Sequence, residues 1–243
     1  GILGATPLAL HLATQAVVKG CHVVLREKDE MTLGMASLRL VKTLQDEATR
    51  GAMTEEMFKS NVNRIRPTVT WKGFGELELV IDATHGAIEA EQRLLRELEA
   101  QIPDEAVITC VRPWRALAGW QPTLRRPERA VGMHFPAPVG RTPLVEVLAT
   151  PATGDQAVRC VRGFVAMLGK VSVVVQETTG GLVLRVLCAG CDEAFRLLFE
   201  GQPPERLEQS MQLFGMVYGP LQFMDLLGLD EFALLHENAE QAG

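Results

Sequence analysis

The opening 27 residues constrain the fold more tightly than any other stretch, because their hydrophobic pattern changes period twice within a short distance. Residues 1–4 read as the end of a short buried strand, residues 7–19 carry helical periodicity, and residues 21–27 read as a second strand closing on an acid. Strand, helix and strand in this order make a βαβ unit. In such units the amino end of the helix receives a pyrophosphate, and a carboxylate about 20 residues beyond the glycine turn bonds ribose hydroxyls. Glu27 stands at that place, and Gly4, Ala5 and Thr6 form the turn that faces the phosphates. Arg26, beside Glu27, is placed to attract a 2′-phosphate, so the local pattern leaves both kinds of dinucleotide open.

The turn departs from G-x-G-x-x-G, reading Gly4-Ala5-Thr6-Pro7-Leu8-Ala9 and keeping only the first glycine. Thr6 adds a branched side chain where close backbone approach is wanted, and Pro7 removes an amide donor. Ala9 still permits close packing of helix on strand. A structural reading competes on equal terms: Thr6 as N-cap and Pro7 at the first helical position start a helix without any ligand.

Further along, residues 31–49 and 54–61 read as helices, residues 64–68 as a brief strand, and residues 79–81 as a buried strand whose carboxyl end, Asp82, is expected to face the cofactor. His85 reads as a solvated loop histidine. A charged amphipathic helix at 89–101, a buried strand at 106–111, a helix at 155–168 and a sheet-closing strand at 170–177 follow. Thr178-Thr179-Gly180-Gly181 is a linker, after which residues 182–199, 203–214 and 221–227 are helical. The expected class is α/β: a Rossmann-like dinucleotide-binding domain with a mostly parallel sheet over residues 1–178, then a smaller all-α domain over 179–243.

The chemistry concentrates between these elements. Residues 131–135 and 144–148 are β-rich runs separated by Pro and Gly, so they read as strands folding back around Gly140. Antiparallel pairing then sets His134 opposite Glu146, where Cβ atoms roughly 4.5–5.5 Å apart let a carboxylate orient an imidazole and raise its basicity. An ordinary cross-strand pair is the plain alternative.

The run Gly132-Met133-His134-Phe135-Pro136-Ala137-Pro138, followed by Pro143-Leu144-Val145-Glu146-Val147, resembles the active-site signature of the L-3-hydroxyacyl-CoA dehydrogenase family. There G-M-H-F-F-N-P precedes P-L-V-E-V, and the His and Glu are the catalytic pair. The resemblance extends along essentially the whole chain. It implies His134 and Glu146 as catalytic residues, NAD as cofactor, and an acyl-CoA as substrate. It also implies a homodimer, or further domains of a multifunctional fatty-acid oxidation subunit, as partner. Several positions depart from the family: Ala137 replaces an asparagine, Gly86 a glutamate that contacts cofactor, and Leu184 an asparagine facing nicotinamide and substrate. Val111-Arg112-Pro113-Trp114 stands where the family carries a serine that orients substrate. Arg112 there is either a phosphate contact or a surface ion pair, and Arg185 matches the family's arginine.

Two functions follow as expectations. One is NAD-dependent oxidation of L-3-hydroxyacyl-CoA to 3-ketoacyl-CoA in fatty-acid β-oxidation. The other is a catalytically weak or inactive dehydrogenase-like module with an architectural or acyl-CoA-binding role in a multifunctional complex.

Composition narrows the rest. A net charge of -6, with no basic run interleaved with aromatics, argues against nucleic-acid binding. No apolar run reaches membrane-spanning length and no cleavable signal is visible, which with five cysteines read as reduced gives a cytoplasmic expectation. Cys188 and Cys191 form a C-x-x-C without a second ligand pair, so no metal site is expected. The chain begins inside its first strand without an initiator methionine, and the segment after Asp230 is short for a full domain. An excerpt of a longer polypeptide, with a truncated second domain, is the corresponding expectation.

Overall fold

The computed structural model describes residues 1–111, 117–230, 232, 233 and 237. Among these, the strands β1 (Ile2–Leu3), β2 (Val23–Arg26), β3 (Ile65–Thr68), β4 (Leu79–Asp82), β5 (Val107–Cys110), β6 (Ala130–His134), β7 (Leu144–Ala149) and β8 (Val171–Gln176) form one sheet. Its order is β3-β2-β1-β4-β5-β6-β7-β8. Every neighbouring pair is parallel except β6 with β7, which is antiparallel. The expected mostly parallel sheet is therefore present, with β8 at its edge.

The helices α1 (Pro7–Val18), α2 (Glu30–Thr49), α3 (Glu55–Asn63), α4 (Ile88–Glu99) and α5 (Asp155–Met167) cover the sheet. Strands buried on both faces have no polar side to show, which is why they read as short apolar runs rather than alternating ones. Ile2, Leu25, Ile81, Val131 and Val145 pack with Leu12, Leu40 and Val161 from α1, α2 and α5. Leu3, Val24, Val80 and Ile108 meet Leu95 and Leu98 of α4, together with Phe74 and Trp120 from the connecting segments. Residues adjacent in a strand thus divide between two cores.

Local chemistry sets the helix starts. Thr6 caps α1 by accepting the Ala9 amide at 3.2 Å, with Pro7 at the first position, where its missing N–H costs nothing. Asp29 caps α2 on the Thr32 amide at 2.8 Å. Beyond the sheet come α6 (Val183–Phe199), α7 (Pro204–Phe214) and α8 (Pro220–Leu227), where Leu184, Cys188, Cys191, Phe223, Met224 and Phe232 form a cluster of their own.

The strand order reverses beside β1, whose neighbours are β2 on one side and β4 on the other. At such a switch point the connections leave in opposite directions and open a crevice at the carboxyl ends of the strands. That edge positions everything described next.

Candidate active site

Because β6 runs parallel to β5, its final residue, His134, lies at the same sheet edge as the ends of β1, β2 and β4. The antiparallel return of β7 brings Glu146 directly opposite, in the register expected from a turn near Gly140. His134 Nδ1 lies 2.5 Å from Glu146 Oε2, and the two residues are only 5% and 1% exposed. A carboxylate is acceptor-only, so the proton of this contact sits on Nδ1 and Nε2 is the basic nitrogen. Lys170 holds the hairpin from behind, donating from Nζ to the Val139 and Thr142 carbonyls at 2.7 Å each.

Glu146 does more than face the imidazole. Its Oε1 accepts the Leu182 amide at 2.7 Å and the Val183 amide at 3.1 Å, so the carboxylate also holds the first turn of α6. Burial alone would push its carboxyl up. The His134 contact and the two amides outweigh that and hold it below the usual carboxylate range. Gly181 makes the approach possible: it has φ +57°, and a Cβ there would lie 3.0 and 3.1 Å from the two Glu146 oxygens. The linker pattern of Gly180-Gly181 gives no sign of this role, since the contact runs through backbone amides that no side-chain pattern reveals.

At the switch point a cavity of about 460 Å³ is lined by Gly4, Ala5, Thr6, Arg26, Glu27 and Thr84, among others. Gly4 has φ +84°, and a Cβ there would come within 3.1 Å of the Ala83 carbonyl and the Thr84 backbone, so only glycine passes. Glu27 Oε1 accepts the Ala5 amide at 2.7 Å and Oε2 the Lys28 amide at 3.0 Å. Each oxygen retains a further lone pair for a ribose hydroxyl. The first turn of α1 supplies the anion-favouring helix end, although Thr6 Oγ1 is engaged by Ala9 and Pro7 offers no amide. A glycine turn, a helix start and an acid at the end of β2 around one cavity fit a dinucleotide.

One expectation is corrected here. Asp82 does not line the cavity: it is 0% exposed and its Oδ1 accepts the Thr84 amide at 3.0 Å and the Thr84 hydroxyl at 2.7 Å. Strand alternation puts Asp82 on the face of Val80, under α4, so it shapes the loop and leaves the wall to Ala83, Thr84 and His85. His85 is the exposed loop residue that was expected, and it also borders the cavity. Arg112, Pro113 and Trp114 lie outside the described residues.

Leu184 is 3% exposed and packs in the helical cluster, whereas Arg185 is exposed. Burial pushes the Cys188 thiol up to about 11 and the Cys191 thiol up to about 12, far from thiolate chemistry at neutral pH.

Comparison with known proteins gives these features a frame. The family model described as 3-hydroxyacyl-CoA dehydrogenase, NAD binding domain, matches residues 1–178, and that of the C-terminal domain matches residues 180–242. The cofactor of this fold is accordingly NAD. The fatty acid oxidation complex subunit alpha of Psychrobacter arcticus is 32% identical over 231 residues, covering 94% of this chain and 32% of that protein. The chain therefore spans about a third of the length of that curated relative. Among solved structures, the 3-hydroxybutyryl-CoA dehydrogenase of Escherichia coli superposes with TM-score 0.92 at 26% identity, over 99% of this chain and 52% of that one. The (S)-3-hydroxybutyryl-CoA dehydrogenase of Ralstonia eutropha gives 0.91 at 26% identity, over 98% and 84%.

Proposed function

We propose, because this chain belongs to the 3-hydroxyacyl-CoA dehydrogenase family, that it interconverts an L-3-hydroxyacyl-CoA and the 3-ketoacyl-CoA in fatty-acid β-oxidation. The observation that carries this reading is the buried His134–Glu146 contact at the sheet edge that also holds the switch-point cavity. The order β1-β4-β5-β6 separates the two by three strand spacings, roughly 14 Å, a span for an extended cofactor rather than for one small group.

NAD, when bound, supplies the acceptor for the hydride leaving C3. Gly4, Ala5 and Thr6 face its phosphates and Glu27 its adenosine ribose. His134 Nε2 takes the hydroxyl proton, so that the C–O bond gains double-bond character without passing through an oxonium. Glu146 stays ionised and balances the imidazolium that results, and burial strengthens this pairing by excluding water. In this reading residues 1–178 hold the cofactor, and residues 179–243 complete the substrate site and the subunit contact.

The apolar surface of the helical region supports a partner there. Phe199, Leu213, Phe214 and Val217 are each more than 70% exposed, and α7 buries none of its residues. A second copy, or another domain of a multifunctional subunit, is the cover proposed for it. Five free cysteines suit a reducing, cytoplasmic setting.

A second reading, a module of little or no turnover serving architecture or acyl-CoA binding, is favoured by one observation. Leu184, which replaces an asparagine, is sunk in the helical core and offers substrate no polar group. Titration with NADH, followed by reduction of acetoacetyl-CoA, separates the readings. Saturable binding and turnover that falls at least about 1,000-fold in His134→Ala establish the enzyme. Binding without His134-dependent turnover establishes the module, and no binding at millimolar NADH removes both cofactor and enzyme.

A further inference from the structure

The switch-point cavity has one wall that the βαβ pattern does not explain. Arg26, the last residue of β2, lines it, yet its guanidinium carbon sits 3.9 Å from the centroid of the Trp71 ring. Trp71 itself does not reach the cavity, so Arg26 stands between the indole and the open space. The indole is in turn fixed edge-on against fully buried Phe74, with ring centroids 5.2 Å apart and an interplanar angle of 89°. Arg26 Nε is buried without a hydrogen-bond partner among the described residues. A cation held over one aromatic ring, with its flank facing a cavity, is prepared to take a second π-system on that flank. Ala83, Ala90 and Leu94 line the same cavity with aliphatic groups, which suits a flat heteroaromatic ring and not a phosphate.

Resting on the proposed dinucleotide site, we infer that Arg26, backed by Trp71, is the platform on which the adenine of the cofactor stacks. The adjoining residue, Glu27, fixes where the adenosine ribose lies, and the base attached to that ribose is the group that falls against Arg26. Trp71 acts through Arg26 as a positioning residue. By keeping the guanidinium engaged with a ring, it also leaves the Glu27 carboxylate as the charge next to the ribose, which disfavours a 2′-phosphate.

The test is binding, not turnover. Wild type, Arg26→Met, Trp71→Phe and Trp71→Ala are titrated calorimetrically with NADH, NADPH, ADP-ribose and reduced nicotinamide mononucleotide. Arg26→Met keeps the aliphatic stem and hence the packing, so it guards against an outcome due to misfolding. It is expected to weaken NADH and ADP-ribose by about 10-fold, the scale of a desolvated cation–π contact, and to leave the mononucleotide unchanged. Trp71→Phe is expected within about 2-fold of wild type, with Trp71→Ala following Arg26→Met. Equal affinities of wild type and Arg26→Met for ADP-ribose overturn the inference while sparing the dinucleotide site. So does an equal loss for the mononucleotide, or a wild type that prefers NADPH. A wild type that binds neither NADH nor ADP-ribose removes the dinucleotide reading and this one together.

Discussion

Glu146 is the residue on which most of the site turns, because each of its oxygens serves a different element: Oε2 the imidazole of β6, Oε1 the first turn of α6. Gly181 is the space that arrangement needs. Gly181→Ala adds a methyl 3.0 Å from the carboxylate at a left-handed φ, strain worth about 1–2 kcal/mol. It is expected to lower melting temperature and to cut kcat about 10-fold with NADH affinity intact, as read by steady-state kinetics beside NADH titration. The pH dependence has a definite sign. Glu146 is held below the carboxylate range in the fold, so its contribution to stability is present above the unfolded value, about 4.3, and is lost as pH falls through the folded one. The stability gap between wild type and Glu146→Gln in urea should accordingly shrink as pH falls below about 4. A gap that widened below about pH 4 would contradict the assignment.

At the scale of elements, α4 is anchored at its last turn by a buried ion pair. Glu99 Oε1 lies 3.0 Å from Arg129 Nη2, with the residues 3% and 5% exposed, and the carboxylate also accepts the Arg125 and Arg126 amides. Burial would raise the Glu99 carboxyl, but these amides and Arg129 hold it low. Removing one partner strands the other charge away from water, so Glu99→Ala should cost about 3–5 kcal/mol in urea unfolding. The start of α1 carries the opposite balance. Thr6→Gly gives up the side-chain cap for only a few tenths of a kcal/mol and opens the backbone to the pyrophosphate, so NADH should bind more tightly. An unchanged affinity in that variant would mean that Thr6 does not obstruct the site.

For the whole molecule, the apolar side chains on α6, α7 and the turn after α7 are the feature that a lone chain leaves unresolved. Sedimentation of the wild type is expected to show a dimer, and Phe199→Glu combined with Phe214→Glu a monomer with an unaltered circular dichroism spectrum. A monomeric wild type would leave the cover to another domain. The α/β class and the parallel sheet were legible in the chain itself because strand and helix periods alternate along it, and the His134–Glu146 register because it depends on one short turn. The face taken by Asp82, the grip of Glu146 on α6 and the stacking of Arg26 on Trp71 were not legible. Each joins residues whose meeting is set by strand order, by how far one helix start approaches the sheet, or by which of two cores a side chain enters. Sequence alone determined the elements and the pairing of His134 with Glu146, since backbone periodicity and turn chemistry are local. Only the tertiary structure decided what surrounds that pair, because burial, shared oxygens and stacked rings are properties of packing between segments distant along the chain.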